Sequence, residues 1–172
     1  HQIVTYTSTV KPYARVCNAH PLMTPYASFP ASDREFVMAV TNEKAWKAFI
    51  SIPEFAHLDE VPEFRAQVDR NINRVKMLEE IYRVFRAKPA EYWLAELDKR
   101  GIPSEPILTL PEVVSHPHIR ERGSLMEIEY PPGSGTRVVI PGMPWRDVAA
   151  PRIQRDPPGL GQHTREVLEE LY

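Results

Sequence analysis

The spacing of apolar and polar residues predicts two β-hairpins with helices between them. Apolar residues are concentrated in 26–29 and 35–40, on either side of a short polar stretch, as in two antiparallel strands joined by a turn. A second pair of such segments, 125–130 and 136–140, flanks a turn of prolines, glycines and a serine. The sequence therefore predicts one hairpin near each end of the folded region.

Helical periodicity dominates the stretch between the hairpins. Thr41 or Asn42 is predicted to cap a short helix that ends at Ile50. Asp69 is predicted to cap the longest helix, over 70–87, because apolar residues recur there every three or four positions. The predicted core-facing stripe of that helix consists of Ile72, Val75, Leu78, Tyr82 and Phe85.

Further local signals place shorter elements after the long helix. Pro89 is suited to the first turn of a helix that Gly101 ends. A short strand is predicted over 107–109. Thr109 and Glu112 have the spacing of a capping box, which predicts a brief helix stopped before the next proline.

The order of strands, helices and strands predicts an α+β fold. We expect a small domain of a β-hairpin and packed helices, followed by a second hairpin and a proline-rich C-terminal tail ending in a helix. Residues 1–24 show no period and are predicted to form an extended linker and loop. The small domain is predicted to span 25–109. Residues 110–172 are predicted to contain a linker, the second hairpin and the C-terminal segment.

Composition limits the classes of function. The 172 residues are 42% hydrophobic and carry a net charge of −2, so nothing predicts binding to nucleic acid or to a membrane surface. The 18 prolines, about twice the average share, indicate stiff connections. Cys17 is the single cysteine, which excludes an internal disulfide and favours a reducing compartment such as the cytoplasm.

Motifs for common cofactors are missing from the sequence. It contains neither a glycine-rich phosphate loop nor paired cysteines for zinc. Cys17 and His20 could form a nucleophile and base, but a small loop cysteine is the favoured interpretation. His116 and His118 lack a third ligand, so we predict no metal site.

The loop 15–26 is the best candidate for function. Arg15, Asn18, His20 and Tyr26 supply hydrogen-bonding side chains, and the prolines between them stiffen the backbone. These features suit a loop that closes over a ligand. A purely structural linker is the alternative that the residues alone leave open.

Eight short motifs occur in a characteristic order. They are Arg15-x-x-Asn18-Ala19-His20-Pro21, Pro25-Tyr26-x-x-Phe29, Phe36-Val37-Met38-Ala39-Val40, Asn73-Arg74, Trp93-Leu94, Gly101-Ile102-Pro103-x-x-Pro106, Val114-x-His116-Pro117 and Pro157-Pro158-x-Leu160-Gly161-x-His163-Thr164. Together they resemble the middle and C-terminal part of family III CoA-transferases, the CaiB/BaiF family, over residues 12–172. Cys17 departs from the pattern, since the family usually has glycine there.

The resemblance implies an enzyme that moves coenzyme A between carboxylic acids through an acyl-enzyme anhydride and an enzyme-bound CoA thioester. The nucleophilic aspartate would lie in an N-terminal large domain outside this sequence, so no catalytic residue is assigned here and the chain alone is expected to be inactive. Arg15, Asn18, His20 and Tyr26 would line the substrate. The CoA thioester would be a substrate, with no tightly bound cofactor.

The resemblance also implies an interlocked homodimer, in which each chain threads through the other. The expected location is cytoplasmic, or mitochondrial or peroxisomal in a eukaryote. Two other functions stay open. One is an α-methylacyl-CoA racemase of the same superfamily, and the other is a non-catalytic module that binds a partner chain.

Overall fold

A computed structural model gives the conformation of residues 2–10, 15–142 and 156–171. These residues fall into two units, His1–Ile107 and Leu108–Tyr172. In the described part of the chain, no helix combines the length and the apolar character needed to cross a bilayer.

The first unit combines helices with a three-stranded antiparallel sheet. Its elements are α1 (Gln2–Thr9), β1 (Tyr26–Pro30), β2 (Glu35–Ala39), α2 (Glu43–Ile50), two 3-10 helices (Pro53–Glu60 and Pro62–Phe64), α3 (Gln67–Ile72), α4 (Arg74–Phe85), α5 (Ala90–Asp98) and β3 (Ser104–Pro106). The strand order is β1-β2-β3, with Phe29 opposite Phe36 and Val37 opposite Glu105. The predicted first hairpin is confirmed.

A cluster of aromatic rings forms the core of this unit. Phe85 from α4 lies at its centre, with its ring centroid 4.9 Å from that of Phe36, 4.9 Å from Phe55 and 5.1 Å from Trp93. All four rings are fully buried. Burial of each stabilises the fold by roughly 2–3 kcal/mol, and the edge-to-face contacts add to this.

The prediction of a single long helix over 70–87 is wrong. It is two helices, α3 and α4, separated by Asn73, whose backbone leaves the helical region at φ −95° and ψ 22°. Asp69 lies in the first turn of α3 rather than at its cap. The break also shifts the buried stripe: Ile72 and Val75 are 74% and 67% exposed, whereas the buried side chains are Arg70, Met77, Ile81 and Phe85.

The predictions for Asn42 and Gly101 are confirmed, whereas those for Pro89 and the short strand are wrong in position. The Asn42 side chain caps α2 by accepting the Ala45 amide at 2.9 Å. Gly101 has φ +65° and, with the Ile102 amide bonded to the Leu97 carbonyl at 3.0 Å, ends α5. Pro89 precedes α5 rather than lying in its first turn. The short strand is Ser104–Pro106, three residues earlier than predicted.

The extended conformation predicted for residues 1–24 is wrong for Gln2–Thr9, which form α1. Apolar periodicity does not indicate this helix, because it buries no apolar stripe: Ile3, Val4 and Tyr6 are all exposed. Serine and threonine hydroxyls bond back to carbonyls of the preceding turn, as from Ser8 to Val4 at 2.8 Å. A helix without a core-facing stripe leaves no periodic signal in the sequence.

The second unit contains a hairpin and short helices. Its elements are α6 (Leu110–Ser115), α7 (Pro117–Glu121), β4 (Leu125–Glu129), β5 (Arg137–Pro141) and α8 (Thr164–Leu171). The predicted capping interaction is present, since the Glu112 carboxylate accepts the Thr109 amide at 2.7 Å. The residue that stops α6, Pro117, also begins α7. The second hairpin is confirmed, with Ile128 opposite Val138.

Candidate functional site

The candidate loop, residues 15–26, folds back on itself before it enters β1. Two backbone hydrogen bonds close it: Ala19 donates to the Val16 carbonyl at 3.0 Å, and His20 donates to the Tyr26 carbonyl at 2.8 Å. Cys17, at the turn, has φ +53°, a left-handed conformation that glycine adopts more readily. The loop is therefore an ordered turn with His20 and Tyr26 at its base.

His20 and Tyr26 are in direct contact. Their rings are stacked, with centroids 5.2 Å apart and planes 12° from parallel. The His20 Nδ1 atom accepts the Leu22 backbone amide at 3.1 Å. Because Nδ1 is an acceptor, the proton of the neutral imidazole is on Nε2. His20 thus offers Nε2–H as a hydrogen-bond donor from a fixed ring.

The other two predicted side chains are placed differently. Asn18 donates from its amide nitrogen to the Ser28 hydroxyl, which ties the loop to β1. Arg15 is exposed at the start of the loop. Within the described residues, no hydrogen bond or ring contact links Arg15 to Asn18, His20 or Tyr26. The structure therefore brings His20 and Tyr26 together and leaves Arg15 separate.

Side chains from α3 and α4 donate hydrogen bonds to backbone carbonyls of the loop. The sequence patterns do not predict these contacts. Gln67 and Asn71 both donate to the Leu22 carbonyl, the former at 3.3 Å, and Arg74 Nη2 donates to the Pro21 carbonyl at 2.7 Å. We call Gln67, Asn71 and Arg74 the loop clamp. One sequence feature could have indicated the loop clamp: its polar residues are four and three positions apart, which places them on one side of the helices.

The buried Thr24 completes the attachment of the loop. Its hydroxyl donates to the Asn71 Oδ1 atom at 2.8 Å, so Asn71 uses both ends of its amide on the loop. The Arg74 Nε atom donates to the Asn71 carbonyl at 3.3 Å, which anchors the guanidinium at the end of α3. A loop bonded in this way holds its side chains in fixed positions, as binding of a specific ligand requires.

Three other polar side chains, His116, His118 and Glu129, lie in the second unit. The His116 and His118 rings are perpendicular, with centroids 6.5 Å apart. Over residues 2–10, 15–142 and 156–171, no group of three or more His, Cys, Asp or Glu side chains is arranged to hold a metal ion. Glu129 accepts the Gly135 amide at 3.0 Å and so stabilises the turn of the second hairpin.

Comparison with known proteins gives the family of this chain. A family model described as CoA-transferase family III matches residues 1–164. The chain belongs to this family. Among solved structures, a CaiB/BaiF family protein from Brucella suis superimposes with a TM-score of 0.77 at 25% identity, covering 99% of this chain and 44% of that one. The α+β fold predicted from the sequence is thus the CaiB/BaiF fold.

Two relatives of this family III chain carry transferase names. Acetyl-CoA:oxalate CoA-transferase of Acetobacter aceti is 30% identical over 144 residues, which are 84% of this chain and 35% of that protein. Succinyl-CoA:glutarate CoA-transferase of Homo sapiens is 26% identical over 172 residues, or 99% of this chain and 39% of that protein. The chain therefore spans between a third and two fifths of the length of these relatives.

Proposed function

We propose that this chain is the C-terminal part of a CoA-transferase that moves coenzyme A from an acyl-CoA to a free carboxylic acid. The observation that carries the proposal is the family III match over residues 1–164. The names of two relatives, which describe transfer from acetyl-CoA to oxalate and from succinyl-CoA to glutarate, support it. Acyl-CoA and carboxylate are therefore the proposed substrates.

In the proposed reaction, an aspartate of the N-terminal half attacks the thioester carbonyl. The CoA thiolate leaves and a mixed anhydride forms. The thiolate then attacks the aspartyl carbonyl of the anhydride, which releases the donor acid and forms an enzyme-bound CoA thioester. The acceptor carboxylate attacks the aspartyl thioester, which releases the CoA thiolate and forms a second mixed anhydride. The thiolate then attacks the acceptor's carbonyl in this anhydride, which gives the new acyl-CoA and the free aspartate. Each step breaks one C–S or C–O single bond at a carbonyl carbon and forms another, so no oxidant is needed.

Two aspartates of the first unit, Asp33 and Asp69, can be compared with the position of the loop. Asp33 accepts the Ala90 amide at 2.8 Å, at the start of α5. Asp69 lies inside α3. Among the described residues, neither carboxylate has a hydrogen bond to His20. This is consistent with the proposal that the nucleophile lies in the N-terminal half.

The loop is proposed to lie beside the substrate, with Arg15, Asn18, His20 and Tyr26 as its contacts. The negative charge that develops on a carbonyl oxygen during each attack is stabilised by fixed donors. His20 Nε2–H and the Tyr26 hydroxyl are such donors, and their stacked rings hold them in place. Arg15 carries a positive charge at the exposed start of the loop, where it can pair with an anionic part of the substrate.

We further propose that the complete protein is an interlocked homodimer in a reducing compartment. The proline-rich stretch 141–161 suits a long connection around a partner, although most of it lies outside the described residues. The amphipathic helix α8 has an apolar face that needs a covering surface, because Val167, Leu168 and Leu171 are 48–71% exposed. In the complete protein the N-terminal domain would cover this face.

The test uses the complete protein with acetyl-CoA or succinyl-CoA as donor and a panel of carboxylates that includes oxalate and glutarate. We expect one pair to yield a new thioester, detected by chromatography and mass spectrometry. A borohydride-trapped or hydroxylamine-trapped aspartyl thioester would identify the nucleophile. Failure of every donor and acceptor pair to give a new thioester would disprove the transferase.

A racemase of the same superfamily is the second candidate. One observation favours it: α-methylacyl-CoA racemase of Homo sapiens is 29% identical over 147 residues. Racemisation transfers a proton at the α-carbon with a base and an acid on opposite faces, and needs no acceptor carboxylate. Deuterium incorporation into a 2-methylacyl-CoA without any acceptor would favour the racemase.

A non-catalytic module that binds a partner chain is the third candidate. The exposed apolar face of α8 is the observation behind it. The size of the isolated chain in solution separates this candidate from the first. A well-folded monomer would support the module, whereas aggregates or entangled dimers would indicate a piece of a larger enzyme.

A further inference from the structure

We propose that Arg74 is a positioning residue that sets the orientation and the tautomer of His20. The inference rests on the proposed function, in which His20 lies beside the substrate. It assigns a role to an arginine 54 positions away in the sequence that does not touch the His20 ring itself. The connection between them is a single peptide group.

The peptide group that joins Pro21 to Leu22 is bonded at both ends. Its carbonyl oxygen accepts from Arg74 Nη2 at 2.7 Å, and its N–H donates to His20 Nδ1 at 3.1 Å. A peptide group is planar, and in the trans form its C=O and N–H point in opposite directions. The position of the Arg74 guanidinium therefore fixes the direction in which the Leu22 N–H points toward the imidazole.

The charge of Arg74 adds to this geometry. A hydrogen bond from a charged donor polarises the peptide group, which makes its N–H a stronger donor at the opposite end. The effect favours His20 Nδ1 as the acceptor and so places the proton of the neutral ring on Nε2. A neutral donor at this position would orient the peptide group but would polarise it less.

The rest of the loop clamp prevents the peptide group from rotating. Asn71 and Gln67 hold the next carbonyl, that of Leu22, so two consecutive carbonyls are bound by side chains. The break at Asn73 begins α4 at Arg74, directly after the end of α3 that carries Asn71. Arg74 also bonds the Asn71 carbonyl through Nε at 3.3 Å, so its own position is fixed.

The experiment measures the His20 tautomer and the turnover of the complete protein. Histidine labelled with ¹⁵N reports whether each imidazole carries its proton on Nδ1 or Nε2, and a His20→Gln variant assigns the signal. We expect wild-type His20 to be the Nε2–H tautomer alone. In Arg74→Ala we expect a mixture of tautomers and a kcat lowered about tenfold to a hundredfold, with a much smaller change in KM.

Three variants separate positioning from a general structural effect. Arg74→Lys keeps one charged donor for the Pro21 carbonyl and should restore most of the Nε2–H signal. Asn71→Asp keeps the acceptor for Thr24 but loses the donor to Leu22, and should mix the tautomers in a protein that is still folded. Arg83→Ala removes a guanidinium that is 70% exposed on the same helix and should leave both readouts unchanged.

The inference and the proposed function can fail separately. A single Nε2–H tautomer with unchanged kcat in both Arg74→Ala and Asn71→Asp would overturn the role of Arg74. If the complete protein forms no thioester with any acid, the proposed function fails, and the tautomer signals still decide whether Arg74 orients His20.

Discussion

The guanidinium of Arg70 lies over the indole ring of Trp46, with its central carbon 4.5 Å from the ring centroid. Arg70 is 1% exposed, and it donates to the Phe64 carbonyl at 2.9 Å and to the Glu43 carboxylate at 2.5 Å. A buried cation is stable only when such partners replace its hydration. Arg70 therefore joins α2, α3 and the preceding 3-10 helix from inside the unit.

We expect Arg70→Met to lower the free energy of unfolding by about 2–4 kcal/mol, because the Phe64 carbonyl would lose its partner and the stacking on Trp46 would be lost. Arg70→Lys should cost less, since it keeps the charge. Urea unfolding followed by tryptophan fluorescence measures both. Arg83→Met is the control, at a position 70% exposed, and should change stability by less than about 0.5 kcal/mol. Equal losses at the two positions would contradict this account.

The loop offers a prediction that separates catalysis from folding. In the complete enzyme, His20→Ala should reduce turnover far more than stability, because the ring is half-buried against Tyr26 and is not part of the buried core. His57→Ala is a matched control, since that histidine is 43% exposed and pairs with Glu80. Steady-state kinetics and thermal unfolding are measured together. An unchanged rate in His20→Ala would remove the loop from the site.

The first hairpin could be predicted because the signals that specify it are local. Apolar strands and a polar turn lie within 15 residues, and their burial follows the sequence pattern. The helical region could be predicted only in part. Arg70 occupies a core position that apolar periodicity excludes, so the pattern that includes Ile72 and Val75 indicates the wrong face.

The candidate site shows the same division. His20 and Tyr26 could be recognised from one short loop, and their contact is local. The partners of the loop could not, because Asn71 and Arg74 are separated by 49 and 53 positions from the carbonyls that they bind. A hydrogen bond to a backbone carbonyl does not depend on which side chain the loop residue has, so it leaves no pattern in the loop sequence. Such contacts become visible only once the chain is folded.

The ion pair of Glu54 and Lys88 predicts how stability depends on pH. The Lys88 ammonium, together with the Tyr92 hydroxyl at 2.9 Å, holds the pKa of the Glu54 carboxyl below its ordinary value of 4.5. Glu54 in turn raises the pKa of Lys88 above 10.5. A carboxyl with a lowered pKa stabilises the fold above its unfolded pKa, and that contribution is lost as the pH falls through the folded value.

The expected result is a stability difference between wild type and Glu54→Gln that is constant near neutral pH and shrinks as the pH drops below 4.5. Urea unfolding over a series of acidic buffers measures it. Glu79→Gln, at an exposed position on α4, serves as the control for removing a carboxylate. A stability difference that stays the same down to the acid transition would show that Lys88 does not lower the pKa of Glu54 in the folded protein.

The isolated chain is expected to have no CoA-transferase activity, because the proposed nucleophile lies in the N-terminal half. It should also expose the apolar face of α8, formed by Val167, Leu168 and Leu171. Assay of the chain beside the complete protein, with the same donors and acceptors, tests the first statement. Binding of a hydrophobic dye, compared with a variant that carries Leu168→Lys and Leu171→Lys, tests the second. Turnover by the chain alone would place the nucleophile within residues 1–172.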